Sequence, residues 1–301
     1  MMAATDGKQL QGEVHYQEPL ARHTSWRVGG PARCFYRPAD SDDLVLFLRG
    51  LPADEPLLWL GLGSNLLVRD GGFEGTVIAT QGRLQELALV TPVCLRVEAG
   101  VACARVARLA AKEGLCGLEF LAGIPGTMGG ALAMNAGAFG AETWRHVRQV
   151  ETVDRDGVIR SRGPEDFDIG YRRVRGPANE WFMAALLKGE PGKVEEGRQK
   201  IRRLLDRRAE TQPTGLASCG SVFRNPDGQF AARLIESIGL KGTCIGGACV
   251  SGKHANFIIN SGGATAQDIE RLIKLVQRRV QSETGVRLET EVKIVGVEMA
   301  S

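Results

Sequence analysis

The sequence predicts a mixed α and β chain in two domains, on three observations. From Thr24 to about Lys188, short β-rich runs alternate with glycine turns and only a few helical stretches. Around Gly189-Glu190-Pro191-Gly192 the composition changes, and long amphipathic helices follow. The length of 301 residues suits two domains at ~100–200 residues each. The expected division is a mobile, polar N-terminal arm over 1–20, a first domain over 21–189 in two parts split near residue 80, and a second domain over 198–301.

Each element has a local cause. Ser41 to Leu48 reads as a helix, with Leu44, Phe47 and Leu48 at helical spacing and Gly50 as terminator. Leu57–Leu60, Thr76–Ala79 and Leu95–Glu98 read as strands. Ala102 to Glu113 is a second helix, ended by Gly114. Val150 to Ile159 reads as a hairpin around Asp156-Gly157, a preferred turn pair. Glu195 to Glu210 is a charged helix with Ile201, Leu204 and Leu205 on one face. Thr265 and Asp268 form a capping-box pair for a helix carrying Ile269, Leu272, Ile273, Val276 and Val280, which stops at Gly285. Leu288 to Val295 alternates, so a strand there would put Glu289, Glu291 and Lys293 on one face.

Composition excludes several classes of function. Lys plus Arg number 38 and Asp plus Glu 35, so the net charge of +3 is too balanced for nucleic-acid binding by bulk charge. Arg198, Lys200, Arg202, Arg203, Arg207 and Arg208 could form an RNA-binding stripe, but the acidic neighbours Glu195, Glu196 and Asp206 favour a solvated helix face. No run approaches the ~20 apolar residues of a membrane span, and no apolar leader segment opens the chain. The seven cysteines are scattered without a C-x-x-C, which suits reduced, mostly buried thiols and a cytoplasmic chain.

Glycine concentrates in two segments among the 39. One is Gly61-Leu62-Gly63-Ser64-Asn65-Leu66, directly after an apolar strand. The other runs from Gly123-Ile124-Pro125-Gly126-Thr127 through Gly129-Gly130 and Asn135 to Gly137 and Gly140. Glycine lets successive backbone N–H groups converge on an anion. Neither segment contains Lys or Arg, so a phosphate there would rely on main-chain amides and a helix start near Thr127. The same glycines would also serve simple tight turns. A Rossmann fingerprint fails because position 66 is Leu. Gly247 to His254 fails as a P-loop, with His254 where a metal-binding hydroxyl belongs and a strand-like Ala255–Asn260 following.

Three further spots carry chemistry-bearing groups: Tyr171-Arg172-Arg173, Gly220-Ser221 and Glu289-Thr290-Glu291. An Arg, a Ser hydroxyl and a carboxylate could bind an anionic substrate and move a proton, though spacing alone does not join them. A Ser–His–Asp hydrolase would need an elbow around Ser221 that is missing. A metal site on Cys244, Cys249 and His254 lacks a fourth ligand, so no metal is expected.

Taken together, these segments resemble the bacterial UDP-N-acetylenolpyruvoylglucosamine reductase (UDP-N-acetylmuramate dehydrogenase) family, in its shorter class without an extra tyrosine-bearing loop. The carriers are Thr24–Gly30, Gly61–Leu66, Gly123–Gly126, Asn135–Gly140, Gly170-Tyr171-Arg172, Gly220–Pro226, Leu240-Lys241-Gly242, His254–Phe257 and Leu288–Val292, in the family's order along nearly the whole chain. The resemblance implies an α+β fold: a two-subdomain FAD-binding domain of the vanillyl-alcohol-oxidase (PCMH) type, then an α+β substrate domain.

It also implies a reaction in peptidoglycan precursor synthesis. NADPH reduces bound FAD, and hydride then reaches the enolpyruvyl β-carbon of UDP-N-acetylglucosamine enolpyruvate, giving UDP-N-acetylmuramate. By the resemblance, Ser221 protonates the α-carbon, while Arg172 and Glu291 flank the substrate carboxyl. Gly61, Gly63, Ser64, Asn65, Leu66, Gly123, Ile124, Pro125, Gly126, Thr127, Gly130, Asn135 and Gly137 would bind the cofactor. Tyr171, Arg224, Asn225, Glu236 and His254 would bind substrate. The chain departs from the family at His23, Val174 and Arg224, none of them a proposed catalytic position. The oligomeric state is not given by the sequence, with a monomer as the working expectation. Two other functions fit the same residues: a different FAD-dependent oxidoreductase on the same cofactor domain, and a nucleotide- or nucleic-acid-binding module without redox chemistry.

Overall fold

The computed structural model describes residues 9–299 and divides into two compact units. The first comprises the chain up to His15, Cys34–Leu62 and Gly75–Asp206; the second comprises Tyr16–Arg33, Gly63–Glu74 and the chain from Arg207.

The first unit is built on an antiparallel five-stranded sheet in the order Ile159–Arg162, Val147–Asp154, Glu180–Lys188, Cys94–Glu98, Leu87–Thr91. In Cys94–Glu98 the alternation is clean, with Leu95 and Val97 fully buried. In Val147–Asp154 two register shifts interrupt it, so Thr152 and Val153 are both buried. The expected hairpin forms, with Val153 opposite Ile159. Helix α1 (Ser41–Arg49) begins at Asp40, whose carboxylate accepts from the Asp43 amide at 2.8 Å. It packs Leu44, Phe47 and Leu48 with Tyr36, Ile78, Val153 and Met183. Helix α2 (Cys103–Lys112) and helix α3 (Met128–Met134) contribute Val106, Ala110, Met128 and Leu132 to a second cluster with Leu95, Leu121, Trp144, Val150 and Leu187. Helix α4 (Val194–Thr211) runs across the boundary between the units.

The second unit carries a four-stranded sheet in the order Ala217–Ser218, Ile258–Asn260, Ala248–Val250, Cys244–Ile245. Helices α5 (Ala231–Ser237) and α6 (Ala266–Thr284) bury Ile235, Ile269, Leu272, Ile273, Val276 and Val280 with Trp26, Leu67, Val222 and Phe223. The capping box at Thr265 and Asp268 is present. The Asp70 carboxylate adds two more bonds to the α6 start, accepting from Ala266 and Gln267 amides at 2.9 Å each. A parallel pair, Leu66–Val68 with Lys293–Val295, closes this unit.

Four expectations need correction. The N-terminal arm is not unstructured throughout: Glu13–Pro19 is a strand and Leu20 is fully buried, while residues 1–8 lie outside the described residues. Its pattern is mostly exposed, which hid it from hydrophobic periodicity. The second unit begins at Arg207 rather than 198 and draws in Tyr16–Arg33 and Gly63–Glu74, because their contacts are with later residues. The last strand starts only at Lys293, so Glu289 and Glu291 do not share a strand face with it. Finally, Cys244 and Cys249 are paired in a disulfide. They face each other across a two-residue Gly246-Gly247 turn, a register that spacing of the thiols did not suggest; the other five cysteines form no disulfide among the described residues.

Candidate active site

In the first unit, Asp168–Gly170 and Arg173–Arg175 form a hairpin whose two-residue loop is Tyr171-Arg172. Arg172 sits at φ +53°, the left-handed region that costs an L-residue about 1–2 kcal/mol. What holds it there is visible. Its guanidinium donates to the carbonyls of Asn135 (3.3 Å) and Gly137 (2.7 Å) and lies 5.2 Å from the Tyr171 ring centre. Asn135 is itself left-handed and buried, ending α3. Its side-chain amide donates to Glu142 and to the Gly170 carbonyl, both at 3.1 Å, and its Oδ1 accepts from the Trp144 amide at 3.1 Å. Both amide protons are therefore committed to the protein. Asn135 grips the hairpin at Gly170 and offers its own carbonyl to Arg172.

Gly61, which with Leu62 is the part of the first glycine segment lying in this unit, meets the second segment here. A Cβ on Gly61 would lie 2.2 Å from the Thr127 hydroxyl oxygen, so only glycine allows this approach. That hydroxyl is buried and, among the described residues, has no hydrogen-bond partner. A buried polar atom without a partner costs about 1–3 kcal/mol unless a ligand supplies one. This pairing of glycine backbone and orphaned hydroxyl fits the phosphate end of a nucleotide cofactor such as FAD. Gly123, Ile124, Pro125 and Gly126 lead directly into Thr127, with Gly123 buried and Pro125 exposed, and Gly130 is exposed in the first turn of α3.

In the second unit, Ser221 is half-buried in the turn after Gly220, and its hydroxyl makes no hydrogen bond among the described residues. The backbone beyond it is tied down. The Val222 carbonyl accepts from the Glu291 amide at 2.8 Å, Phe223 pairs with Thr290, and the Arg224 amide donates to the Glu289 carbonyl at 2.9 Å. Ser221 and Glu291, distant in sequence, are thus brought together. Asn65 joins them: its side-chain amide donates to the Glu291 carbonyl at 3.0 Å, and its own carbonyl accepts from the Lys293 amide at 3.1 Å. Leu66 is a buried strand residue opposite Lys293, and Ser64 lies between it and Gly63. Gly63, at φ +65°, lets the chain pass so close to the His23 carbonyl that a Cβ would lie 2.2 Å from it. Next to the turn, buried Cys219 has its thiol pKa pushed up to about 12 by desolvation, so it is no nucleophile at neutral pH.

Comparison with known proteins is decisive at this point. Residues 32–162 match the "FAD binding domain" family model, and residues 212–295 match "UDP-N-acetylenolpyruvoylglucosamine reductase, C-terminal domain". The UDP-N-acetylenolpyruvoylglucosamine reductase of Alkalilimnicola ehrlichii is 60% identical, covering 98% of this chain and 99% of its own. That of Methylococcus capsulatus is 62% identical, covering 98% and 97%. This chain belongs to the UDP-N-acetylenolpyruvoylglucosamine reductase family. The crystal structure of the Thermus caldophilus reductase is similar too, at 35% identity and a TM-score of 0.80 over 94% of this chain and 98% of that one. The fold expected of the family, an FAD-binding domain of the PCMH type followed by an α+β C-terminal domain, is the one found.

The remaining residues marked for the reductase's substrate are placed less uniformly. Arg224 lies 3.9 Å from the Glu289 carboxylate. The Asn225 side chain accepts from the Ala231 amide at 3.1 Å and so helps start α5. Glu236 is exposed and paired with Lys241. His254 is held below its ordinary pKa, chiefly by burial and then by the Lys241 charge, partly offset by Glu236. Its Nδ1 accepts from the Asn256 amide at 3.3 Å. Among the described residues no cluster of three or more His, Cys, Asp or Glu could hold a metal ion. Reading the sequence missed the positioning roles of Asn65, Asn135 and the buried Asn256. The signal for Asn256 was an amide inside the otherwise apolar run Ala255-Asn256-Phe257-Ile258-Ile259.

Proposed function

We propose that Arg172, Ser221 and Glu291 carry the proton and charge chemistry by which this chain reduces the enolpyruvyl group of UDP-N-acetylglucosamine enolpyruvate to UDP-N-acetylmuramate. The enzyme is an FAD-containing, NADPH-dependent oxidoreductase of peptidoglycan precursor synthesis. FAD, when bound, would supply the hydride chemistry that links NADPH to the enolpyruvyl β-carbon. Gly61, Gly63, Ser64, Asn65 and Leu66, with Gly123 through Thr127, Gly130 and Gly137, are the residues we assign to holding it, the Thr127 hydroxyl supplying a donor to phosphate. Asn135, assigned to the cofactor with them, also offers its backbone carbonyl to Arg172 at 3.3 Å.

Hydride arriving at the β-carbon leaves an electron pair on the α-carbon, delocalised into the adjacent carboxylate. The Arg172 guanidinium stabilises that developing charge more than the ground state, which is the condition for raising kcat. The Ser221 hydroxyl gives its proton to the α-carbon, and the resulting alkoxide is reprotonated from solvent. Serine is a weak acid, so its fixed placement matters more than its acidity. Glu291 is assigned to orient the substrate carboxyl. Tyr171, Arg224, Asn225, Glu236 and His254 are assigned to the rest of the substrate.

The observation that carries this reading is the convergence of Ser221 and Glu291 through the 2.8 Å bond between the Glu291 amide and the Val222 carbonyl. No helix of the described residues is long and apolar enough to cross a membrane, and we place the enzyme in the bacterial cytoplasm, acting as a monomer without nucleic acid. On nucleic acid, helix α4 gives support: Lys200 is spent on the buried Glu119 at 3.0 Å and Arg208 on Gln212. The test is optical. Purified protein shows flavin absorbance that bleaches with NADPH and recovers on adding the enolpyruvyl UDP-sugar without oxygen. Flavin that bleaches but recovers only with another acceptor would favour a different oxidoreductase, and protein that takes up no FAD would favour the binding module.

A further inference from the structure

The buried side chain of Asn256, 3% exposed, makes an unusual set of bonds. Its Oδ1 accepts from the Phe223 amide at 2.9 Å, and its Nδ2 donates to the Phe223 carbonyl at 2.8 Å. Its own backbone carbonyl accepts from the Val222 amide at 2.8 Å. One residue thereby binds three of the four backbone polar groups of the dipeptide that follows Ser221. The fourth, the Val222 carbonyl, is the one that accepts from the Glu291 amide. Asn256 is anchored in turn by its amide to His254 Nδ1, and its neighbour Phe257 donates to the His254 carbonyl at 3.0 Å.

We propose that Asn256 is the positioning residue for Ser221 and Glu291, its carboxamide standing in for a neighbouring strand and fixing the backbone that carries one and contacts the other. The proposal rests on the reading of Ser221 as proton donor. The chemistry is specific. Phe223 offers a donor and an acceptor side by side, and among side chains of this length a carboxamide presents both complements whatever the pH, a carboxyl only when protonated. An ionised carboxylate would accept from the amide but repel the carbonyl; a protonated one would restore both bonds. Proton delivery from a weakly acidic hydroxyl depends on placement, and misplacement of about 1 Å costs on the order of 10²-fold.

The experiment separates the two half-reactions by stopped-flow flavin absorbance in Asn256→Ala, Asn256→Asp, Ser221→Ala and the double variant Ser221→Ala/Asn256→Ala. In Asn256→Ala, reduction by NADPH stays within about twofold of wild type, while reoxidation by the enolpyruvyl UDP-sugar falls on the order of 10²-fold. In Asn256→Asp, the reoxidation rate relative to wild type rises as pH is lowered through the pKa of the introduced carboxyl, which burial shifts upward. In the Ser221→Ala background, Asn256→Ala costs far less than its full factor, the remainder being the share that acts through Glu291. The proposal is overturned if Asn256→Ala slows both half-reactions equally, if it lowers the Ser221→Ala rate by its full factor, or if Asn256→Asp follows the wild-type pH profile. Should Asn256→Ala not fold, the Asn256→Asp profile decides alone. Fast reoxidation in Ser221→Ala would instead refute the proton-donor reading on which this one stands.

Discussion

The Arg172 hairpin of the first unit fixes a functional side chain with backbone carbonyls, whereas the Ser221 turn of the second fixes a backbone with a side chain. At Arg172 the guanidinium is bonded to the Asn135 and Gly137 carbonyls, and those bonds sustain a left-handed residue. At Ser221 no hydroxyl hydrogen bond is present among the described residues, while Asn256 and Glu291 hold the next two residues. The difference suits the two tasks proposed for these residues. A charge that stabilises an enolate works best immobile, whereas a hydroxyl that gives up a proton needs a fixed base and a rotatable O–H. An asparagine supports each site, Asn135 in one and Asn256 in the other.

Arg172→Lys is the sharpest way to break this comparison. An ammonium cannot span two carbonyls as a planar fork does, and turnover should fall about 10²–10³-fold. Steady-state kinetics with separate measurement of flavin reduction checks it; a loss confined to KM would contradict the transition-state role.

Glu270→Gln probes the second unit's frame. Glu270 receives Arg69 at 2.9 and 3.2 Å and Lys274 at 2.9 Å, and its pKa is lowered to about 2 chiefly by the Arg69 bond. A folded-state pKa below the ordinary 4.5 means its contribution is complete above that value and is lost as pH falls toward about 2. Urea unfolding should show a deficit of roughly 2–3 kcal/mol at pH 7 that closes over that window. A pH-independent deficit would mean that packing, not charge, is at stake.

Gly61→Ala tests where the glycine segments meet. The added methyl must displace the Thr127 hydroxyl, and overpacking of about 1–3 kcal/mol should weaken FAD binding roughly tenfold or more, read by flavin fluorescence during titration of the apoprotein. Unchanged affinity would remove the Gly61–Thr127 approach from the cofactor site.

The smallest effect concerns His254. Its folded pKa lies below the ordinary 6.5, so stability is lost as pH drops below 6.5 toward the folded value. His254→Asn should flatten that slope in a chemical-denaturation series; an unchanged slope would place the acid sensitivity elsewhere.

Much of this was legible in the residues. Helices α1, α2 and α6 were readable because caps and apolar spacing are local. Ser221, Arg172 and Glu291 stood out because their motifs occur in a characteristic order. The strand at Glu13–Pro19 was not readable, since an edge strand with mostly exposed side chains carries little alternation. Nor was the end of the Leu288–Val295 pattern: Thr290 is tied to Phe223 as a single bridge, leaving the ladder to begin at Lys293. The asparagines were hidden for a similar reason. Asn65, Asn135 and Asn256 act on Glu291, Gly170 and Phe223, partners 226, 35 and 33 residues away, and no spacing rule reaches that far.

The most direct test of the proton-donor assignment is rapid mixing of Ser221→Ala, first with NADPH and then, once the flavin is bleached, with the enolpyruvyl UDP-sugar. The assignment predicts bleaching at the wild-type rate followed by flavin that stays reduced for orders of magnitude longer. Prompt return of the yellow colour with formation of UDP-N-acetylmuramate would show that another group protonates the α-carbon.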